Sequence, residues 1–457
     1  MEGVRRWGDV WLPRAVALAA VALVSVLALV LPLRLHQPDP YAYRASIVAL
    51  RDGRVTLTEG QFLSLAARLA HEDDGWDSRI GIMQWTRTPE GRFVSEKNPG
   101  YPFLVYPFAV AGVVRLAPLV ALLLGCFGLW LAGRRWLGEW GGALAVVLFC
   151  SSGTFVTMVS ETYMPTATEA SLLAGGGGLV LWALLDGRGG RAAVAGGAAG
   201  FLLISAAVLV RYTAAVVLAV LFVAALVWVL RRLCPVRARW LGLWGAAAVL
   251  GPALGLLYDR LVFGSVFATG YSRGVTFSAY AVARNLRSLP VALLAGIPVC
   301  VLAAAAVAWL AIAAVRRVKG APMGRDLAVA AVLVAWWIAA WLTYAAYDWT
   351  TFPLQALEFP LTSRFYLPAL GALALLGALL LVRLRPPVAV LVAAGLLAFG
   401  VAAGLFAVSG DWLYGHGRRE PLGFEMPPGA LPGLPNGLPS AAPGASGAPS
   451  VVPPESG

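Results

Sequence analysis

Charge is what this sequence has least of. Only 13% of its 457 residues are Asp, Glu, Lys or Arg, about half of the roughly 25% found in soluble domains. Most of the chain must therefore be solvated by lipid, and no soluble catalytic domain is encoded. Lysine is nearly absent: Lys97 and Lys319 are the only two, and every other basic residue except histidine is arginine, a skew that marks GC-rich coding. Cysteine is scarce too. Cys126, Cys150, Cys234 and Cys300 lie in or beside apolar runs without CxxC spacing, which excludes a disulfide framework and a zinc site and leaves small buried hydrophobes. There is no P-loop and no dinucleotide fingerprint. The run Gly175-Gly176-Gly177-Gly178 lies inside an apolar stretch and reads as close helix packing rather than a phosphate cradle.

What is present is hydrophobicity: 60% of the residues are apolar and the mean hydropathy is +0.77. Apolar runs of about 20 residues suffice to cross a hydrocarbon core, and with no water to bond the backbone they must be helices. Such runs occur at 15–33, 117–133, 140–158, 164–185, 192–210, 213–230, 240–258, 290–315, 327–347, 366–382 and 387–408. The fold class is therefore all-α, a polytopic transmembrane bundle of about eleven spans. The first run is too long for a secretory signal, and no small-residue cleavage site follows before His36, so it is read as retained.

Arginine sets the orientation. With the N-terminus cytoplasmic, the inner segments hold 17 basic residues against five acidic ones, and the outer segments hold 18 of each sign. All of the excess of +12 then falls on one side, as the positive-inside rule requires. The basic balance reports topology, not nucleic acid. This places the C-terminus outside and the protein in a cell membrane. The membrane domain is expected over 1–423. The tail over 424–457, rich in Pro, Gly, Ala and Ser, cannot bury a core and is expected to be disordered.

Three outer segments have real size, 34–116, 259–289 and 348–364. The first carries the chemistry best. Asp39 lies between Pro38 and Pro40 just after the first span, where a carboxylate is partly desolvated. Residues 41–50 suit an amphipathic interfacial helix with Tyr41, Ile47 and Leu50 toward lipid or protein. Asp39 is a candidate general base toward an acceptor hydroxyl, or the N-cap of that helix. Further on, His71-Glu72-Asp73-Asp74-Gly75-Trp76-Asp77 offers Asp73, Asp74 and Asp77 as ligands for a divalent cation, or is a solvated turn; its spacing matches neither an EF-hand nor HExxH. Lys97-Asn98-Pro99 closes the loop, where the ammonium can hold a phosphate oxygen or snorkel. Elsewhere on the outer face stand Arg260, Tyr271, Glu161, Tyr163, Arg364 and Tyr366. The outer arginines need compensation, by an anionic headgroup or more simply by Asp259, Asp348 or Glu358. Glu169 lies deeper and needs a partner.

Asp39 and Tyr41 after the first span, the turn Arg51-Asp52-Gly53, and the re-entry at Lys97 and Pro99 together resemble the GT-C superfamily of polyprenyl-phosphate-sugar-dependent glycosyltransferases, which includes protein O-mannosyltransferases and bacterial aminoarabinose transferases. Phe263-Gly264-Ser265 with Thr269-Gly270-Tyr271, and Arg364-Phe365-Tyr366-Leu367-Pro368, look like segments of uncharacterised members. The resemblance implies that a glycosyl group passes from a polyprenyl phosphate to the hydroxyl of a glycan, lipid or protein acceptor on the outer face. It gives Asp39 the base role, Lys97, Arg364 and Arg260 the donor phosphate, and Glu161 a second acidic position. This chain has a lone Asp39 where many relatives have two adjacent acids, Lys-Asn-Pro for the usual Lys-Pro-Pro, and a longer first loop. Asp73, Asp74 and Asp77 are therefore alternative bases. A transporter or lipid flippase is the competing class, but the mid-span positions are almost wholly apolar and no repeat is visible, unlike most transporters. A membrane scaffold is the third.

Overall fold

Long apolar runs become long helices. The computed structural model describes residues 2–31, 38–72, 84–186, 189–231, 233–234, 236, 238–270, 277–316, 324–347 and 363–409. Helix α1 (Glu2–Val30) is followed by α2 (Pro38–Arg51), α3 (Glu59–Glu72), the strands β1 (Trp85–Arg87) and β2 (Phe93–Ser95), and α4 (Gly100–Val110). Then come α5 (Leu116–Cys150), α6 (Gly153–Ser160), α7 (Thr166–Leu185), α8 (Arg191–Val210), α9 (Ala214–Leu230) and α10 (Leu241–Phe263). The chain continues through α11 (Ala279–Gly296), α12 (Val299–Arg316), α13 (Arg325–Ala345), a 3₁₀ turn (Arg364–Ala369), α14 (Leu370–Leu381) and α15 (Pro386–Ser409). The acidic stretch Asp73, Asp74 and Asp77, and Tyr271, Asp348 and Glu358, lie outside the described residues, as does the tail.

Among the described residues eight helices are long and apolar enough to cross a membrane, and the protein is a multi-pass membrane protein. The sequence suggested about eleven, and the differences have local causes. The 35 residues of α5 are too many for one crossing, and the helix breaks at Gly138, whose φ of 85° excludes most side chains. There the chain doubles back. A Cβ on Gly142 would lie 2.8 Å from the Trp130 carbonyl, whereas twelve residues of straight helix span about 18 Å. The runs expected at 117–133 and 140–158 are thus two legs of one hairpin, and the second is cut short before α6. The run expected at 290–315 is two helices, α11 and α12, parted at Ile297-Pro298, where proline supplies no N–H to continue the first. Helix α9 and the apolar part of α12 fall short of the length of those eight.

The glycine run in α7 packs helices, as its apolar setting implied. A Cβ would meet the Leu124 carbonyl oxygen at 2.6 Å from Gly175, the Gly200 carbonyl oxygen at 2.6 Å from Gly176, the Trp336 ring at 2.5 Å from Gly177 and the Gly128 carbonyl carbon at 2.3 Å from Gly178. One helix therefore packs against the backbones of α5 and α8 and against the Trp336 ring of α13. All four cysteines are free, and three are buried.

The first loop contributes the only strands among the described residues, an antiparallel ribbon pairing Trp85 with Ser95 and Arg87 with Phe93. The turn Pro89-Glu90-Gly91 joins its strands, Gly91 at a φ of 77°. The ribbon has its own small core. Phe62 of α3 stacks on Phe93 at 4.4 Å and tilts against Trp85 at 5.3 Å, while Leu57 and Phe93 exchange backbone hydrogen bonds.

Candidate active site

The ribbon brings its two flanks together. Gln84 precedes β1 and Lys97 follows β2 by two residues, and the Glu96 N–H donates to the Gln84 carbonyl at 2.9 Å. Both side chains converge on one oxygen of Asp39: Gln84 Nε2 donates to Oδ1 at 2.8 Å, and Lys97 Nζ lies 2.8 Å from the same atom. Arg364 Nη2 donates to the other oxygen, Oδ2, at 3.2 Å. The carboxylate sits in the first turn of α2, where the helix dipole favours a negative charge, and both flanking prolines fall where a helix tolerates them. The expected helix after Asp39 is present, with Tyr41 and Ile47 buried against protein.

Other elements fix the cations. Lys97 is itself buried, its side chain 7% exposed, so it does not snorkel. Gly270, the last described residue of the Phe263–Gly270 segment, explains part of this: a Cβ there would meet the Glu96 Cα at 2.3 Å. At the start of α4, Gly100 likewise seats against the backbone of Leu209. Arg364 opens the 3₁₀ turn. Ser363 before it shares a hydrogen bond with Thr154 of α6 at 2.6 Å, while Trp336 and Trp341 of α13 donate to the carbonyls of Pro368 and Tyr366 at 2.9 and 3.3 Å. The Arg-Phe-Tyr-Leu-Pro segment is thus pinned at both ends.

These charges set one another's protonation. Burial alone would raise the Asp39 carboxyl, but Lys97 and Arg364 beside it, with Lys97 and Gln84 donating, hold it well below the usual carboxylate range. Burial alone would lower the Lys97 ammonium, and Asp39 and Glu96 hold it above the usual lysine value. Glu96, 3.6 Å from Lys97, is pushed up by burial and pulled partly back by that ammonium.

Not every sequence candidate joins this group. Arg260 is exposed at the end of α10 and makes no ion pair among the described residues. Its neighbour Asp259 accepts from the Tyr212 hydroxyl at 3.1 Å rather than from an arginine. Among the described residues the acid that pairs with Arg364 is Asp39; Asp348 and Glu358, the other acids anticipated beside Asp259, lie outside them. Glu161 is buried at the end of α6 and is not bonded to Asp39, Tyr163 is half-buried, and Tyr366 is fully buried with its ring 5.6 Å from that of Trp341. Glu169 has the partner its depth demanded, Arg211 at 3.4 Å. Gln84 and Arg211 are what sequence reasoning missed. A lone glutamine outside any motif carries no signal. Arg211 did carry one, as an arginine between two outer-end apolar runs.

Beside Lys97 lies a small groove lined by Leu50, Val55, Val94 and Phe103 with Arg54 and Tyr258. Among the described residues no group of three or more His, Cys, Asp or Glu side chains could hold a metal ion.

No protein-family model matches the sequence, and no curated protein matches it. Solved structures do match the fold. The oligosaccharyltransferase of Archaeoglobus fulgidus in its apo form aligns with a TM-score of 0.51 at 14% identity, over 88% of this chain and 57% of that one. The same enzyme tethered to an acceptor peptide containing the NVT sequon gives 0.52 at 14% identity, over 91% and 57%. ArnT from Cupriavidus metallidurans, bound to undecaprenyl phosphate, gives 0.49 at 20% identity, over 83% and 61%. The chain spans 57% of the oligosaccharyltransferase's length. The fold is thus GT-C-like, that of the oligosaccharyltransferase structures.

Proposed function

We propose that this protein is a membrane glycosyltransferase that moves a sugar from a polyprenyl phosphate to an acceptor hydroxyl on the outer face of the membrane. The observation that carries the reading is the meeting of Asp39, Lys97 and Arg364 at one end of a bundle with a GT-C fold. A carboxylate held by a buried lysine and a half-buried arginine suits a site that receives an anion. The donor's phosphate competes with Asp39 for Lys97 and Arg364, and taking them restores basicity to the carboxylate. The acceptor oxygen then attacks the anomeric carbon, the bond from that carbon to the phosphate oxygen breaks, and Asp39 takes the hydroxyl proton. The electron pair of the broken bond stays on the lipid phosphate, whose growing charge Lys97 and Arg364 neutralise. Arg260, exposed near the same end, meets phosphate or lipid headgroups at the rim. The N-terminus is cytoplasmic.

A transporter or flippase is favoured less, because the charged groups cluster at helix ends rather than at mid-span. The test is transfer of a radiolabelled sugar from polyprenyl-phosphate mannose or arabinose by the purified protein to cell-envelope acceptors. Transfer that disappears in K97M is expected. Absence of transfer from every such donor, with intact binding of none, would sink the reading.

A further inference from the structure

Two more charges lie at this end of the bundle, and the reaction as written uses neither. Glu169 is in the first turn of α7 and is fully buried; Arg211 follows the last turn of α8. Arg211 Nη1 reaches Glu169 Oε2 at 3.4 Å, longer than the 2.7–2.9 Å of a strong charge-assisted bond. The other oxygen, Glu169 Oε1, is buried with no hydrogen-bond partner among the described residues. A buried carboxylate is costly unless its lone pairs are satisfied, so this pair is poorly built as a purely structural bridge.

Its surroundings connect it to Asp39. The Arg211 guanidinium lies 5.6 Å from the ring centre of Tyr344 and 5.4 Å from that of Phe365. Arg364, which holds Asp39, lies 4.9 Å from that same Phe365 ring. Tyr347 stands 5.6 Å from Phe365 and within electrostatic reach of Asp39, Arg211, Lys97 and Arg364. A carboxylate oxygen without a partner among the described residues, an arginine and aromatic rings in an otherwise apolar bundle are the kind of few, placed groups that orient a ligand.

Resting on the glycosyltransferase reading, we infer that Glu169 and Arg211, with Phe365 between them and Asp39, form the subsite for the transferred glycosyl unit, Glu169 Oε1 accepting a hydrogen bond from a sugar hydroxyl. Lys97 and Arg364 serve the phosphate, and Glu169 serves the sugar it carries.

Full-length protein in nanodiscs is titrated with three probes: bare polyprenyl phosphate, polyprenyl-phosphate mannose and polyprenyl-phosphate arabinose. The wild type is expected to prefer one glycosylated probe over the bare phosphate. E169Q should bind that probe about tenfold more weakly and the bare phosphate within about twofold of wild type. K97M should weaken all three alike. The double variant E169L/R211L keeps the test sound should E169Q misfold, because apolar replacement of a buried ion pair is often neutral for stability; it too should lose the preference. The subsite is overturned by a retained preference in a folded variant or by equal losses for all probes in E169Q. It is also overturned if both variants unfold, which makes the pair structural. A wild type that binds no probe at all removes the glycosyltransferase reading itself.

Discussion

Replacing Asp39 by asparagine separates the two things its carboxylate does. In the free protein it competes with any phosphate for Lys97 at 2.8 Å and Arg364 at 3.2 Å. A phosphate charge seated ~5 Å from that carboxylate meets a gross repulsion of about 3 kcal/mol at an effective dielectric near 20. Asparagine removes the repulsion but also loosens the two cations, which gives part of the gain back. The net expectation is about 0.5–1.5 kcal/mol, so D39N binds bare polyprenyl phosphate roughly twofold to tenfold more tightly than wild type. Transfer should nevertheless fall by about 10²–10⁴-fold, the usual contribution of a positioned general base. The assay is a fluorescence or calorimetric titration of nanodisc-embedded protein with polyprenyl phosphate, beside single-turnover transfer. A folded D39N that transfers at the wild-type rate refutes the base role. One that binds the phosphate tenfold more weakly refutes the competition and leaves Asp39 as a scaffold for its cations.

Three further outcomes follow from the same geometry. K97M should weaken polyprenyl phosphate by about 1.5–3 kcal/mol, the range for a hydrogen bond to a charged group, with a melting curve confirming that the protein remains folded. G270V should lower transfer without removing any charged group, because its side chain would drive into the backbone of Glu96 and shift Lys97; G264A, open to solvent beyond a light contact with Pro89, should strain only its own turn and spare the Lys97 site. The pH dependence separates the acids. Asp39 is held low, so its stabilisation is present above about pH 4 and is lost only as pH falls through its depressed folded value; Lys97 is held high, so its share is present below about pH 10 and is lost as pH rises through its raised one. Asp39 itself should therefore contribute no titration to the thermal-stability difference between D39N and wild type from about pH 5 to 9. Glu96 is raised instead, so its charged form destabilises the fold, and E96Q should gain stability over wild type as pH rises through and above the carboxylate range of about 4.3.

Sequence alone determined that this chain lives in a membrane. Hydropathy is a sum over each segment and needs no partner, so the helices could be placed wherever the run was long and unbroken. The reversal at Gly138 falls between the expected runs 117–133 and 140–158; hydropathy failed at Pro298, inside an expected run, because a local break is invisible to a window average. The glycines of α7 announced close packing by their composition, though not the three neighbours they admit. Asp39 and Lys97 were legible as candidates because each is a rare charged residue at a membrane boundary. Their bond was not, nor was the turn that carries Gln84 to the same oxygen. The contact of Arg364 with Asp39 joins positions 325 residues apart, and that of Arg211 with Glu169 crosses between helices. Such pairings are decided by which helix ends become neighbours, a property of packing across the whole bundle. The sequence could say that these charges needed partners in a medium of low dielectric; only the tertiary structure could choose them.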